Sequence, residues 1–145
     1  RQGMALASYY AGLAFTRTSV GFAHAIAHNL GAFYGTPHGL ANALVLPHVL
    51  EYSKGAAGRQ LAELGDLIDV PAGTEAARAE AFIDAVRGLS ASIGIPTVLD
   101  SLQPDDITSL AELAVAEAFA DYPVPRFMTV GDCEMVIGQL LPDGR

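Results

Sequence analysis

Val20-Gly-Phe-Ala-His24-Ala-Ile-Ala-His28-Asn-Leu-Gly31-Ala-Phe-Tyr-Gly-Thr-Pro37-His38-Gly39 is the stretch on which the reading of this chain turns. His24 and His28 are four residues apart. On a helix that spacing leaves about 40° between them, so both point to one face, one turn apart. His38 follows a Gly/Pro turn. The flanks Val20, Phe22, Ala23, Ile26, Leu30 and Phe33 are apolar. Such a segment is expected to bury its imidazoles with partners, because an unpaired buried polar group costs about 1–3 kcal/mol. A metal ion is one partner, neutral imidazole being its commonest protein ligand. Hydrogen-bonded core histidines are the other reading, and spacing does not separate the two. His48, beyond Pro47, reads as structural.

A metal site usually takes three or four protein ligands, often with a carboxylate among them. Residues 20–40 contain no acid. Glu51 is the nearest, and Asp66 and Asp69 approach only through tertiary folding. A distant acid, or ligands on a further segment, must complete the set.

Outward from this stretch the pattern is helical throughout. Residues 2–16 read as a helix rich in Ala, Leu, Tyr and Phe. Thr18 or Ser19 is expected to cap a helix over 20–31, with Gly31 as its breaker. A third runs from His38 to about Lys54, kinked or restarted at Pro47. A separate amphipathic helix over 57–69 uses Leu61, Leu64 and Ile68, after a Gly55–Gly58 loop. Pro71-Ala72-Gly73 is a loop. Thr74 caps a helix with Phe82, Val86, Leu89 and Ile93 on one face, ended by Gly94 and blocked by Pro96. Pro104 opens the next at a favoured first position, with Ile107, Leu110, Leu113 and Ala114 inward. Thr129 and Asp132 box the start of a last helix ending near Leu141. No alternating strand occurs. The expectation is one all-α domain over residues 1–145.

Composition narrows the function. A net charge of -8 argues against nucleic acid and anionic membrane as partners. The longest apolar runs fall short of the ~20 residues a membrane span needs. Residues 1–15 loosely mimic a signal peptide, but two tyrosines interrupt the run and no small-residue cleavage site follows. The single cysteine, Cys133, excludes an internal disulfide framework, reads as a small packing residue and fits a reducing, cytoplasmic compartment. No phosphate-binding glycine loop and no Ser/His/Asp elbow is present. The chain is 51% hydrophobic and 17% charged, so part of its surface is expected to be covered by another domain or subunit. It opens on Arg1 rather than Met, and is expected to be a fragment or processed product whose first helix begins upstream.

The run from Gly21 through His24, His28, Gly31, Pro37, His38, Gly39 and Asn42 to Pro47 resembles the signature of the iron-containing (group III) alcohol dehydrogenases. Ile93-Gly94-Ile95-Pro96, Pro104-Asp105-Asp106-Ile107 and Tyr122-Pro123-Val124-Pro125-Arg126 are similar to the same family's C-terminal half. Val124 stands where the family more often has Asn. The resemblance implies the helical domain of a two-domain enzyme, without its N-terminal α/β nucleotide-binding domain. It implies that His24 and His38 are metal ligands, that the Asp and further His of the family's site precede Arg1, and that His28 is no ligand. His28 instead matches a histidine near the nicotinamide, catalytic as a proton relay. Phe15 matches a substrate-pocket position. Arg17 replaces a common Asn, so substrate preference is not carried over. Phe15 and Phe22 are expected to wall the pocket. The implied cofactors are Fe²⁺, with Zn²⁺ as the competing ion, and NAD or NADP. The implied reaction is hydride transfer between the nicotinamide and a small alcohol or aldehyde, in a homo-oligomer, with this fragment inactive alone. Pro37-His38-Gly39-Leu-Ala-Asn42 favours this branch over a glycerol dehydrogenase or maleylacetate reductase on the same scaffold. A non-enzymatic helical module with packed histidines is the rival from another class.

Overall fold

A computed structural model describes residues 1–71 and 73–142 of the chain. Six helices follow in order: α1 (Gln2–Thr18), α2 (Phe22–Tyr34), α3 (His38–Leu67), α4 (Glu75–Ser92), α5 (Ile107–Asp121) and α6 (Val130–Gly138). Among the described residues there is no strand, and the all-α expectation holds. No helix among them is long and apolar enough to cross a membrane. Ala72 of the expected 71–73 loop lies outside the described residues.

Helix α2 is central. Its Phe22, Ala25, Ile26, Ala27 and Leu30 are buried, and it packs between α3 and α5. Leu44 and Val45 of α3, Leu110, Ala111 and Ala114 of α5, and Val136 and Ile137 of α6 complete the main core. Each large aliphatic side chain removed from water there is worth about 1.5–3 kcal/mol. The backbone N–H of Leu99 donates to the Leu140 carbonyl at 2.8 Å, tying the turn after α4 to the chain end. A smaller core of Leu61, Ala62, Ala79 and Ile83 joins the far half of α3 to α4.

Several boundaries differ from the sequence reading. Neither Thr18 nor Ser19 caps α2: its N-cap is Gly21, which makes no side-chain bond. Gly31 does not end the helix. Gly35 does, in the left-handed conformation, its N–H donating to the Gly31 carbonyl. Packing on α3 and α5 therefore carries α2 one turn past its first glycine. Pro47 does not break α3 either. It is buried within the first stretch of α3, and the break comes instead at Ala57, whose backbone is non-helical. Two helical stretches meet there at a kink, so the helix expected over 57–69 is the far segment of α3, joined to the first by this kink rather than by a Gly55–Gly58 loop. Pro104 opens a short 3₁₀ turn, Pro104–Asp106, and α5 begins after it. Thr74 caps α4, and the Thr129–Asp132 capping box is complete, both as expected. Gly94 follows α4 with φ 77, a conformation glycine adopts without strain.

The inward faces were only partly legible. Leu64, Ile68, Leu89, Ile93 and Leu113 are exposed, and the smaller Ala62, Ala79, Ala111 and Ala118 are buried instead. Helix α1 has no buried residue: Met4, Leu6, Tyr9, Tyr10 and Leu13 all face outward.

Candidate metal and proton-transfer site

The turn at Gly35 reverses the chain so that the start of α3 meets the flank of α2. Thr36 is buried within it, and Pro37 precedes the first residue of α3, His38. His38 thereby comes alongside His24 and His28. The ring centroids lie 5.3 Å apart for His24–His38, 5.4 Å for His28–His38 and 5.9 Å for His24–His28. His28 and His38 are stacked at 19°, and His24 stands edge-on to His28. Phe15, near the end of α1, places its ring 6.4 Å from His24.

Two expectations about this face need correction. The imidazoles are not buried: His24 is half-buried, and His28 and His38 are exposed. Phe22 does not wall the site with Phe15, because it is 2% exposed and belongs to the main core. A helix that packs through Phe22, Ile26 and Leu30 must turn His24 and His28 away from that core.

The acid that approaches the cluster is one the sequence reading missed. Glu117 of α5 places Oε1 2.7 Å from His28 Nδ1. The Tyr122 hydroxyl donates to the same oxygen at 2.6 Å. That bond is the main reason the Tyr122 hydroxyl is pushed up to about 12, with burial adding to it. Glu51, Asp66 and Asp69 do not serve. Glu51 pairs with Lys54 and Arg87, Asp66 pairs with Arg78, and Asp69 follows α3 with φ 55. Glu117 lies 89 residues from His28, so no local spacing could join them. One signal was available: at 110, 114 and 117 the helical stripe of α5 runs Leu, Ala, Glu. An acid so placed borders a buried face.

Burial lowers the pKa of His24, and the neighbouring His38 and then His28 lower it further; Glu117 opposes them in part. The neutral imidazole so favoured is the form that ligates a metal. Asn42, one turn into α3, donates to the His38 carbonyl at 3.1 Å and brings Nδ2 within 3.2 Å of His38 Nε2. Its Oδ1 is buried with no partner. The donor set fits one side of a metal centre, with imidazole nitrogens from two helices. Among the described residues, no three His, Cys, Asp or Glu are arranged to hold an ion unaided. His48 stands apart, its Nδ1 2.6 Å from Gln139 Oε1, consistent with its structural reading. Cys133 is fully buried, and burial pushes its thiol up to about 12, so it is a packing residue.

This all-helical domain gathers three imidazoles on one half-open face, and comparison with known proteins gives it a family. Residues 1–140 match the family described as Fe-containing alcohol dehydrogenase, C-terminal. The chain is 39% identical over 117 residues to lactaldehyde reductase of Escherichia coli (strain K12), covering 77% of this chain and 30% of that protein. It is 32% identical over 145 residues to NAD-dependent methanol dehydrogenase of Bacillus methanolicus, covering 97% of this chain and 38% of that protein. A solved 1,3-propanediol oxidoreductase superposes with a TM-score of 0.89 at 34% identity, covering 95% of this chain and 37% of that one. The chain belongs to the iron-containing alcohol dehydrogenase family and corresponds to its C-terminal domain. It spans about a third of the length of these relatives.

Proposed function

We propose that this chain is the metal- and substrate-binding domain of an NAD(P)-dependent dehydrogenase that interconverts a small alcohol and its aldehyde. The observation that carries the reading is the meeting of His24, His28 and His38 with ring centroids 5.3–5.9 Å apart. The relatives' own names, lactaldehyde reductase and NAD-dependent methanol dehydrogenase, support a small oxygenated substrate and a nicotinamide.

In this reading His24 and His38 hold a divalent metal together with ligands from the rest of the enzyme. When bound, such an ion supplies Lewis-acid polarisation of the substrate oxygen. The chain's own residues do the rest. Burial and the neighbouring His38 and His28 disfavour the charged form of His24, which suits it to offer a lone pair. Phe15 gives the substrate an apolar side beside His24. His28, exposed at the edge of the cluster, would move a proton between the substrate oxygen and solvent, hydride chemistry being what a bound nicotinamide would supply. The apolar outward residues of α1 pack against the rest of the enzyme.

The test measures bound metal and NAD(P)H-dependent aldehyde reduction in the intact enzyme, wild type against His38→Ala. About one metal per chain and reduction in the wild type, with both lost in the variant, is the expected outcome. A wild type that binds no metal and reduces no aldehyde overturns the reading.

A further inference from the structure

We infer that Glu117 is the positioning residue for His28, fixing both its ring and its tautomer, with Tyr122 holding the carboxylate in place. The inference deepens the proposed function and rests on it for the role of His28. Its own evidence is separate: a three-member chain running from α2 to α5 and to the segment after it.

The chemistry of the donors sets the hydrogen positions. Tyr122 Oη donates to Glu117 Oε1 at 2.6 Å. His28 Nδ1 meets the same oxygen at 2.7 Å. Both distances suit charge-assisted bonds to a carboxylate. A carboxylate oxygen accepts, so Nδ1 is the nitrogen that carries the hydrogen. The remaining nitrogen, Nε2, is then free to take or give a proton. A histidine whose second nitrogen is held by an acid keeps one tautomer and one ring orientation.

The packing makes this arrangement rigid. Helices α2 and α5 share the main core through Ile26, Leu30, Leu110 and Ala114. Glu117 lies one turn past Ala114 and next to the buried Ala118. Tyr122 follows the end of α5, its backbone N–H donating to the Ala118 carbonyl at 3.1 Å. The side chain of Glu117 is 31% exposed and that of His28 43%. The carboxylate is thus the more sheltered partner, and the imidazole keeps an open edge.

The proton balance is simple. In the reducing direction the carbonyl carbon would accept hydride from a reduced nicotinamide, one C–H bond breaking on the cofactor, which is oxidised, and one forming on the substrate, while the Nε2–H of His28 gives its proton to the substrate oxygen. One N–H bond breaks and one O–H bond forms. The imidazole is left neutral with Nδ1–H still on Glu117, and Nε2 regains a proton from water. Glu117 keeps its hydrogen bond to Nδ1 throughout and touches no reacting atom.

The test uses the intact enzyme and the variants Glu117→Gln, His28→Ala and the pair together, with metal content recorded for each. Glu117→Gln keeps the shape and removes the charge. We expect kcat to fall about 10- to 100-fold with KM for the nicotinamide and metal content unchanged, the usual scale for loss of a partner that orients a functional histidine. The double variant is expected to be no slower than His28→Ala alone, because residues acting as one unit are not additive. ¹⁵N NMR of His28 is expected to show the Nδ1–H form in the wild type and a mixture in Glu117→Gln. Additive losses, or a His28 tautomer unchanged in Glu117→Gln, overturn the inference. An inactive, metal-free wild type overturns the dehydrogenase reading instead, and the NMR comparison still decides whether Glu117 sets the tautomer.

Discussion

The two ends of α3, on either side of its kink at Ala57, do opposite things. Its first turns carry His38, exposed, and Asn42, half-buried, on a face that meets α2 at the imidazole cluster. Its last turns carry Leu61, Ala62 and Gly65 against α4, in close contact and flanked by ion pairs. Gly65 shows how close: a β-carbon there would lie 2.9 Å from Val70 Cγ2 and 3.0 Å from the Arg78 carbonyl oxygen. Lys54 bridges Glu51 and Glu80, and Arg87 bridges Glu51 and Asp84, across the same α3–α4 seam. The first end leaves donors unspent for a ligand. The second end spends its charged groups on ion pairs. The helix passes Pro47 without a break, and the kink that separates the two ends falls at Ala57.

That contrast is broken first at the site end. His38→Ala is expected to reduce kcat of the intact enzyme by at least about 100-fold, the upper scale for losing even an outer partner of a metal site. Its Tm is expected to change little when both proteins are measured metal-free, because the His38 side chain is exposed and takes no part in the core. A Tm loss as large as the Gly65 variant's would mean that the first turn is a packing element after all.

Gly65→Ala tests the other end. The added carbon meets backbone and a packed valine, so it forces α4 away from α3. Overpacking of this kind costs about 1–3 kcal/mol. Unfolding in denaturant is the measurement. Metal content and KM are expected to stay at wild-type values, since the Leu61–Ala79–Ile83 core shares no residue with the histidine cluster. A cost near zero would mean that the seam is loose and that the contrast between the two ends is false.

What the sequence disclosed follows the same division. Local geometry was legible. Spacing placed His24 and His28 on one face, the Gly/Pro turn brought His38 to them, and Thr74 and the Thr129–Asp132 box marked two helix starts. The long-range members were not. Glu117 and Tyr122 come to His28 only because α5 packs on α2. The imidazoles lie open despite their apolar flanks because Phe22, Ile26 and Leu30 turn to the core and leave His24 and His28 on the other side of α2. Alanines made the larger error elsewhere. Where Ala62, Ala79 and Ala111 let helices approach, neighbouring leucines such as Leu64, Leu89 and Leu113 are left outside. A rule that counts large apolar residues reads such a face one step out of register.

The finest test concerns His48, which sits between the two ends and belongs to neither. It shares the residue type of the site and the role of the seam, with its Nδ1 2.6 Å from Gln139 Oε1. Its pKa lies below 6.5, chiefly because burial disfavours the charged form; the Gln139 bond works against this and Arg87 adds to it. The sign follows from linkage. The unfolded chain takes up a proton at 6.5 while the folded chain resists, so acid favours unfolding. The stability His48 contributes is full above 6.5 and is lost as pH falls through 6.5 toward the lower folded value. His48→Gln removes that term. The variant is expected to lose less stability than wild type as pH is lowered across this window, in paired denaturant titrations. His24, whose pKa is also lowered, contributes equally to both proteins and cancels in the comparison. Identical pH slopes would mean that His48 is as open to water as the imidazoles of the cluster, and that its distinction from them rests on sequence position alone.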